Sequence, residues 1–249
     1  MRRGHWLYRY WKSSFMGLLG WLSISVFACK TFAQSSLSNI VPDNTLGAQS
    51  SQVSPNYQGQ TIEAITGGAA RGINLYHSFE EFNVSERRGA YFLSPNAEIQ
   101  NILKRVTGRN SSEILGTLGV YGDSQANLFL INPSGIVFGE NASLDVGGSF
   151  VGTTANGLQF GNQGVFSATN PEPPSQLLTV SPSTLFFNQI NQSAGIINRS
   201  TAPAGRDAAG FDAFGLRVPD GKSLLLLGGN VNVDGGRLNA FGGRVELGG

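Results

Sequence analysis

Cysteine is nearly absent: the only one in 249 residues is Cys29. It falls inside an N-terminal segment that reads as a cleavable leader. A chain exported without cysteine holds no disulfides, so packing and backbone hydrogen bonds must stabilise it. The same absence suits a chain that stays unfolded in an oxidising periplasm before crossing a second membrane. Charge is also scarce, at 13% of residues, about half the usual share. A coiled coil or helix bundle is therefore excluded, since either needs far more Ala, Glu, Lys and Leu. Disorder is excluded by the 40% hydrophobic content and the near-zero net charge. Histidine is confined to His5 and His77, so one imidazole at most serves the mature chain.

What is abundant is glycine, 34 residues in all, roughly twice the average share. The formal charge of +1 conceals an asymmetry. Five of the 17 basic residues (Arg2, Arg3, Arg9, Lys12 and Lys30) lie in residues 1–33, which hold no acid. Residues 34–249 carry the remaining 12 bases against 16 acids, a net of −4. That is a poor footprint for nucleic acid. Phe15 to Ala28 is mostly apolar, and Thr31-Phe32-Ala33 places small residues before Gln34. This is the layout of a secretory signal peptide over residues 1–33. The apolar run is short for a membrane span. An uncut anchor is one alternative. A lipoprotein box at Val26–Cys29 is another, which Phe27 and Lys30 fit poorly.

Beyond residue 60 the chain alternates short apolar runs with Gly and Asn. Thr61–Ile65, Ile73–Tyr76, Ala90–Leu93, Gly119–Tyr121 and Leu128–Ile131 read as strands of four to six residues. Ala97–Val106 fits either a helix or two short strands, because Ile99, Ile102, Leu103 and Val106 have helical spacing. The C-terminal stretch is the most regular. Gly pairs at 228–229, 235–236, 242–243 and 248–249 separate Val231-Asn232-Val233, Leu238-Asn239-Ala240 and Val245-Glu246-Leu247. Each triplet puts two apolar side chains on one strand face and a polar one on the other. Three such units make one coil of about 20 residues, the repeat of a parallel β-helix. Leu128–Ile131, Ile136–Phe138, Ala142–Val146 and Phe150–Thr153 repeat the rhythm. Residues 170–176 and 198–214 read as loops inserted into coils. Residues 34–80 are expected to cap the N-terminal end. The C-terminus shows no cap, which suggests a fragment, a truncated gene or the start of a longer fibre.

These motifs carry a resemblance. Gly67–Phe79, Phe82-Asn83-Val84, Asn101–Gly108, Ala126–Gly139 and Leu144–Phe150 occur in the order found in filamentous-haemagglutinin-like exoproteins. From about Ile40 to Gly249 the chain resembles the N-terminal secretion domain of these two-partner secretion substrates, most closely the cyanobacterial type. The family motif Asn-Pro-Asn-Gly-Ile reads here Asn132-Pro133-Ser134-Gly135-Ile136, with Ser in place of the second Asn. A second motif, Asn-Pro-Asn-Leu, falls near Ser94-Pro95-Asn96-Ala97 and differs at two of its positions. The resemblance implies an all-β, right-handed parallel β-helix with an N-terminal cap and extra-helical strands. The signal peptide implies Sec export, and the resemblance implies recognition in the periplasm by the POTRA-type domains of an outer-membrane barrel transporter. It implies a secreted or cell-surface monomer serving adhesion or surface structure.

Asn132, Pro133, Ser134, Gly135 and Ile136 are the expected secretion-linked turn, with Arg71 and Asn74 as further candidates. The turn either serves recognition or simply closes a β-helix corner. Catalysis finds little support, and no cofactor or metal is expected. His77 sits in an apolar-flanked strand and reads as structural. Ser149 lacks the Gly-x-Ser-x-Gly elbow. Glu80, Glu81, Asp207, Asp212 and Asp234 are scattered rather than paired. Gly67, Gly68 and Arg71 read as a turn, since the phosphate-loop spacing is missing. Phe186, Phe187, Phe211 and Phe214 are expected to pack in a core or cap. The competing class is a carbohydrate-active β-helix enzyme, which would need clustered carboxylates in a groove. A third class, an adhesin in its own right, would draw on repeats this chain lacks.

Overall fold

The computed structural model describes residues 36–188 and 194–249, so the leader expected at 1–33 lies outside the described residues. The chain winds through three parallel sheets in a fixed order. Ile62–Gly67, Gly89–Phe92, Thr117–Val120 and Ser143–Asp145 stack in one sheet. Asn74–Phe82, Asn101–Val106, Asn127–Ile131, Phe150–Thr153, Ser223–Leu227 and Arg244–Gly248 stack in a second. Ser112–Ile114, Ile136–Phe138, Ile196–Asn198 and Val231–Val233 stack in a third, which Val84 extends through a bridge to Ile114. Leu216–Arg217 and Leu238–Asn239 pair in parallel where the first sheet recurs in chain order. This is a parallel β-helix. The last coil brings Leu224 beside Val245, 21 residues on, matching the repeat read from the Gly pairs.

Register produces the core. Leu75, Ile102, Leu128, Phe150 and Leu224 are in-register partners down the second sheet, and all are buried. They pack against Phe92, Leu118, Ile114, Ile136 and Phe138 from the other two sheets. Each layer is covered by the next: Leu224 is fully buried, whereas its partner Val245 is 43% exposed. At the N-terminal end the edges of the first and second sheets are covered. Ser51–Pro55 pairs antiparallel with Ile62–Gly67, while Ile40–Pro42 and Ala69–Arg71 pair antiparallel along Asn74–Phe82. Covered edges have no free backbone groups to recruit another strand.

A second core lies outside the tube. Gly157–Gln159, Val165–Ser167 and Thr184–Phe186 form an antiparallel sheet. Its Leu158, Phe160 and Phe166 pack with Tyr76, Leu103 and Ile131, and Leu178 joins them. The Tyr76 and Phe166 rings meet edge-on at 4.8 Å. This settles the ambiguous 97–106 stretch. Asn101–Val106 is one strand, not a helix. Ile102 and Val106 face the tube while Leu103 faces the outer sheet. A strand buried on both faces loses its alternation and imitates helical spacing. The aromatic expectation fails at the second insertion. Phe211 is 72% exposed beside the hairpin of Pro203–Arg206 and Asp212–Phe214, and Phe214 is more than one third exposed beside Arg237. The hairpin projects from the tube and leaves Phe211 open to solvent, while Phe186 is exposed at the margin of the outer sheet.

One layer breaks the apolar pattern. His77 and Lys104 are in-register partners and both are buried. His77 Nδ1 meets Ser51 Oγ at 2.9 Å, but its Nε2 and Lys104 Nζ have no hydrogen-bond partner. Lys104 Nζ lies 3.3 Å from the centre of the Phe82 ring. Burial pushes the lysine well below its ordinary 10.5. Burial also pushes the imidazole down to about 3, and a charge on Lys104 acts in the same direction. Folding therefore favours both neutral forms. Below pH 10.5 the unfolded chain protonates Lys104 while the folded chain resists. Stability then falls with falling pH, by about 1.4 kcal/mol per pH unit for one such proton. His77 adds a second loss between its ordinary 6.5 and about 3. Lys104→Met is expected to raise the urea midpoint at neutral pH and abolish the first slope while the acid limb remains. Urea unfolding from about pH 4 to about pH 10 checks this; an unchanged slope in the variant contradicts it.

Candidate functional site

The Asn132–Ile136 segment is the corner between the second and third sheets. Gly135 N–H donates to the Asn132 carbonyl at 3.0 Å, closing a turn with Pro133 at its second position. Asn132 Oδ1 accepts from Ser134 N–H at 2.9 Å. Its Nδ2 donates to the Asn110 carbonyl and to Ser112 Oγ, both at 3.0 Å. Its backbone N–H donates to the Thr153 carbonyl at 2.9 Å. The one residue thus ties its own turn to the coil before and the coil after. Gly135 has φ of +116°, a conformation that side chains strongly disfavour. Ile136 pairs with Ser112 and Ile196. Ser134 Oγ still bonds outward, to the Gly108 carbonyl at 3.2 Å. Asn132, Gly135 and Ile136 are buried, and only Pro133 and Ser134 are partly accessible. The same device recurs at Asn198, whose Oδ1 accepts from Ser200 N–H at 3.1 Å.

Arg71 and Asn74 sit together, paired across a tight antiparallel turn, at the opposite end of the second sheet's strands from Asn132. Arg71 donates to the Pro174 carbonyl, the Gln49 side chain and the Ala70 carbonyl. Asn74 Nδ2 donates to the carbonyls of Leu178 and Val180 at 3.0 and 2.6 Å. Both brace the inserted 170–180 segment against the tube. Asn74 also begins a ladder that single motifs do not reveal. Asn101 Nδ2 donates to Asn74 Oδ1 at 2.9 Å, and Asn127 Nδ2 to Asn101 Oδ1 at 3.0 Å. The recurrence of Asn at the head of three successive strands was the available signal.

Sequence reading missed a second cluster. Arg105 is fully buried and clasps three parts of the chain. It donates to Ser78 Oγ, the Ser167 and Glu172 carbonyls and Thr45 Oγ1, at 2.8–3.0 Å, and faces the Phe166 ring. Burial pushes its guanidinium down to about 10, against the pull of Asp43 and Glu172. Burial would raise the Asp43 carboxyl. Hydrogen bonds from Thr107, Thr45 and Ser78 outweigh it and hold the group below its ordinary value. No motif spans residues so far apart.

Glu80 and Glu81 line one depression with Asp43 and Arg109, whereas Asp207, Asp212 and Asp234 lie apart from it. Glu80 is exposed and Glu81 half-buried. Asp207 accepts from the backbone of its own loop, Asp212 pairs with Arg206 and Asp234 with Arg199. Among the described residues no three His, Cys, Asp or Glu side chains are placed to hold a metal ion. Ser149 Oγ accepts from Ser223 N–H between coils.

A parallel β-helix with antiparallel strands over its first edges, an outer sheet and structural corners is a solenoid scaffold. The model of the TPS secretion domain family matches residues 38–249, and the chain belongs to that family. It is thus the secretion domain of a two-partner secretion exoprotein, a secreted or cell-surface protein served by a partner transporter. The family is one of secretion domains. No curated protein matches the chain.

Asn132→Ala leaves the Asn110 carbonyl and Ser112 hydroxyl short of a partner. It is expected to destabilise the domain by about 1–3 kcal/mol. Ser134→Asn keeps the turn and shifts stability by less than about 0.5 kcal/mol. Urea unfolding of the two variants beside the parent chain checks both.

Proposed function

We propose that this domain is read by the POTRA-type domains of an outer-membrane barrel transporter in the periplasm, after Sec export directed by residues 1–33. It then nucleates β-helix folding outside the cell, as a monomer, for adhesion or surface structure. The cyanobacterial type of filamentous-haemagglutinin-like exoprotein is the form it takes.

The observation that carries this reading is directional. The N-terminal edges of the first and second sheets are covered by Ser51–Pro55, Ile40–Pro42 and Ala69–Arg71. New strands therefore add only on the C-terminal side, the order in which residues emerge when the N-terminus leads. Each added coil contributes backbone bonds and buried side chains to the one before, which biases transit outward without an energy source at the outer membrane. Asn132, Pro133, Ser134, Gly135 and Ile136 serve in two states on this reading. Unfolded, they are an accessible segment for the transporter; folded, Asn132 is buried and locks the corner. Arg71 and Asn74 act in the same way, as braces that form once 170–180 has emerged.

The test is secretion in a two-membrane host with and without the partner barrel, assaying medium and periplasm. The chain is expected in the medium only with the barrel. Equal release without it, or retention in the periplasm with it, would overturn the proposal. Asn132→Ala is expected to lower secretion and stability together, and loss of secretion at parental stability would assign the segment to recognition alone.

A further inference from the structure

Beyond secretion, we propose that the outer face of the sheet formed by Ile62–Gly67, Gly89–Phe92, Thr117–Val120 and Ser143–Asp145 binds a neutral oligosaccharide stacked on Tyr91. Two depressions of about 480 and 450 Å³ lie on this face, and Tyr91 and Thr117 line both. They adjoin over the Tyr91 ring and run across successive coils, bounded at one end by Pro203 and Arg217 and at the other by Thr61 and Glu86.

The ring is built into the surface. A Cβ at Gly89 would come within 2.5 Å of Tyr91 Cε2, and one at Gly119 within 2.6 Å of the Asp145 carbonyl oxygen and 2.7 Å of Tyr91 Cε1. Both glycines are in strands rather than corners, Gly119 as the in-register partner of Tyr91. Glycine weakens a strand interior and marks a close approach. Here the pair lets the ring lie flush on the sheet. Tyr91 Oη donates to Asp145 Oδ2 at 2.9 Å, and the Tyr121 ring meets the Tyr91 ring edge-on at 6.3 Å. The ring is thus held by Asp145 and Tyr121 over the two glycines, and it lines both depressions.

The chemistry of the rim selects the ligand. A pyranose has an apolar C–H face and a hydroxyl edge. It fits a flat ring bordered by the Thr117–Ser143 hydroxyl pair, 2.8 Å apart, the Asp145 carboxylate and the Asn141 amide. Rim charges oppose one another, Asp145 and Glu86 against Arg217 and Arg87, while Arg88 is held by the buried Glu63 carboxylate. Arg217 is already engaged by the Ala204 and Arg206 carbonyls and by Asp220. A neutral sugar is therefore favoured over an acidic one. The net charge of −4 over residues 34–249 disfavours a nucleic acid base on the same ring.

The full chain is to be titrated with cellohexaose, xylohexaose, chitohexaose and maltohexaose by calorimetry, with polygalacturonate fragments and single-stranded DNA alongside. At least one neutral hexaose is expected to bind with Kd below about 1 mM. Tyr91→Ala is expected to weaken it by about tenfold or more, while Tyr91→Trp, which keeps a stacking face, stays within about threefold. Thermal unfolding of both variants is expected to match the parent, which separates loss of binding from loss of fold. Absence of binding by every neutral hexaose, binding of only the acidic glycan or DNA, or Tyr91→Ala binding as the parent does would overturn the proposal. Calorimetry does not read transport, so failure here leaves the secretion reading standing, and failure of secretion leaves this site standing.

Discussion

The parallel register between successive coils is the constraint on which everything else depends. In-register pairing places Leu75, Ile102, Leu128, Phe150 and Leu224 in one column, so apolar side chains stack on their equivalents above and below and face the columns of the other two sheets. A one-residue slip would turn that column outward. The corners keep the register. At Asn132 a single amide ties its own turn to the Asn110 carbonyl and Ser112 hydroxyl, and its backbone reaches Thr153. The Asn74–Asn101–Asn127 ladder does the same at the other end of the strands. Buried amides of this kind tolerate no misalignment, because an unmatched one is left without partners.

The long insertions are part of this order. Residues 157–186 fold onto the outer face of the second sheet, where Arg105 joins Thr45, Ser78, Ser167 and Glu172. These groups lie far apart in the chain, so the clasp closes only when late residues have arrived. The buried, unpartnered Lys104 and half-partnered His77 work against stability in the same coils. The early coils are thus of limited stability, and a late closure fixes them.

Much of the tube was legible in the sequence, and its legibility follows from repetition. Gly pairs and apolar-polar-apolar triplets at 228–249 recur because each coil solves the same steric problem, and the strands at 231–233 and 244–248 fall where the triplets do. Asn101–Val106 was ambiguous because both its faces are buried, by layers drawn from distant residues. Phe211 and Phe214 misled because aromatic composition says nothing about whether a hairpin folds back or projects. Arg71 and Asn74 stood out as residues, but their bonds to Pro174, Leu178 and Val180 depend on an insertion a hundred residues on.

The sequence by itself determined the coil: its length, its inward and outward faces, its glycine and asparagine corners, and its independence of disulfides. These are set by neighbours within about 20 residues, the reach of one repeat. Only the tertiary structure decided how the insertions lie, that Lys104 and His77 are entombed together, and that Tyr91 rests flat across Gly89 and Gly119. Those outcomes depend on contacts between coils and across insertions, where sequence separation is large and no local pattern records the partner.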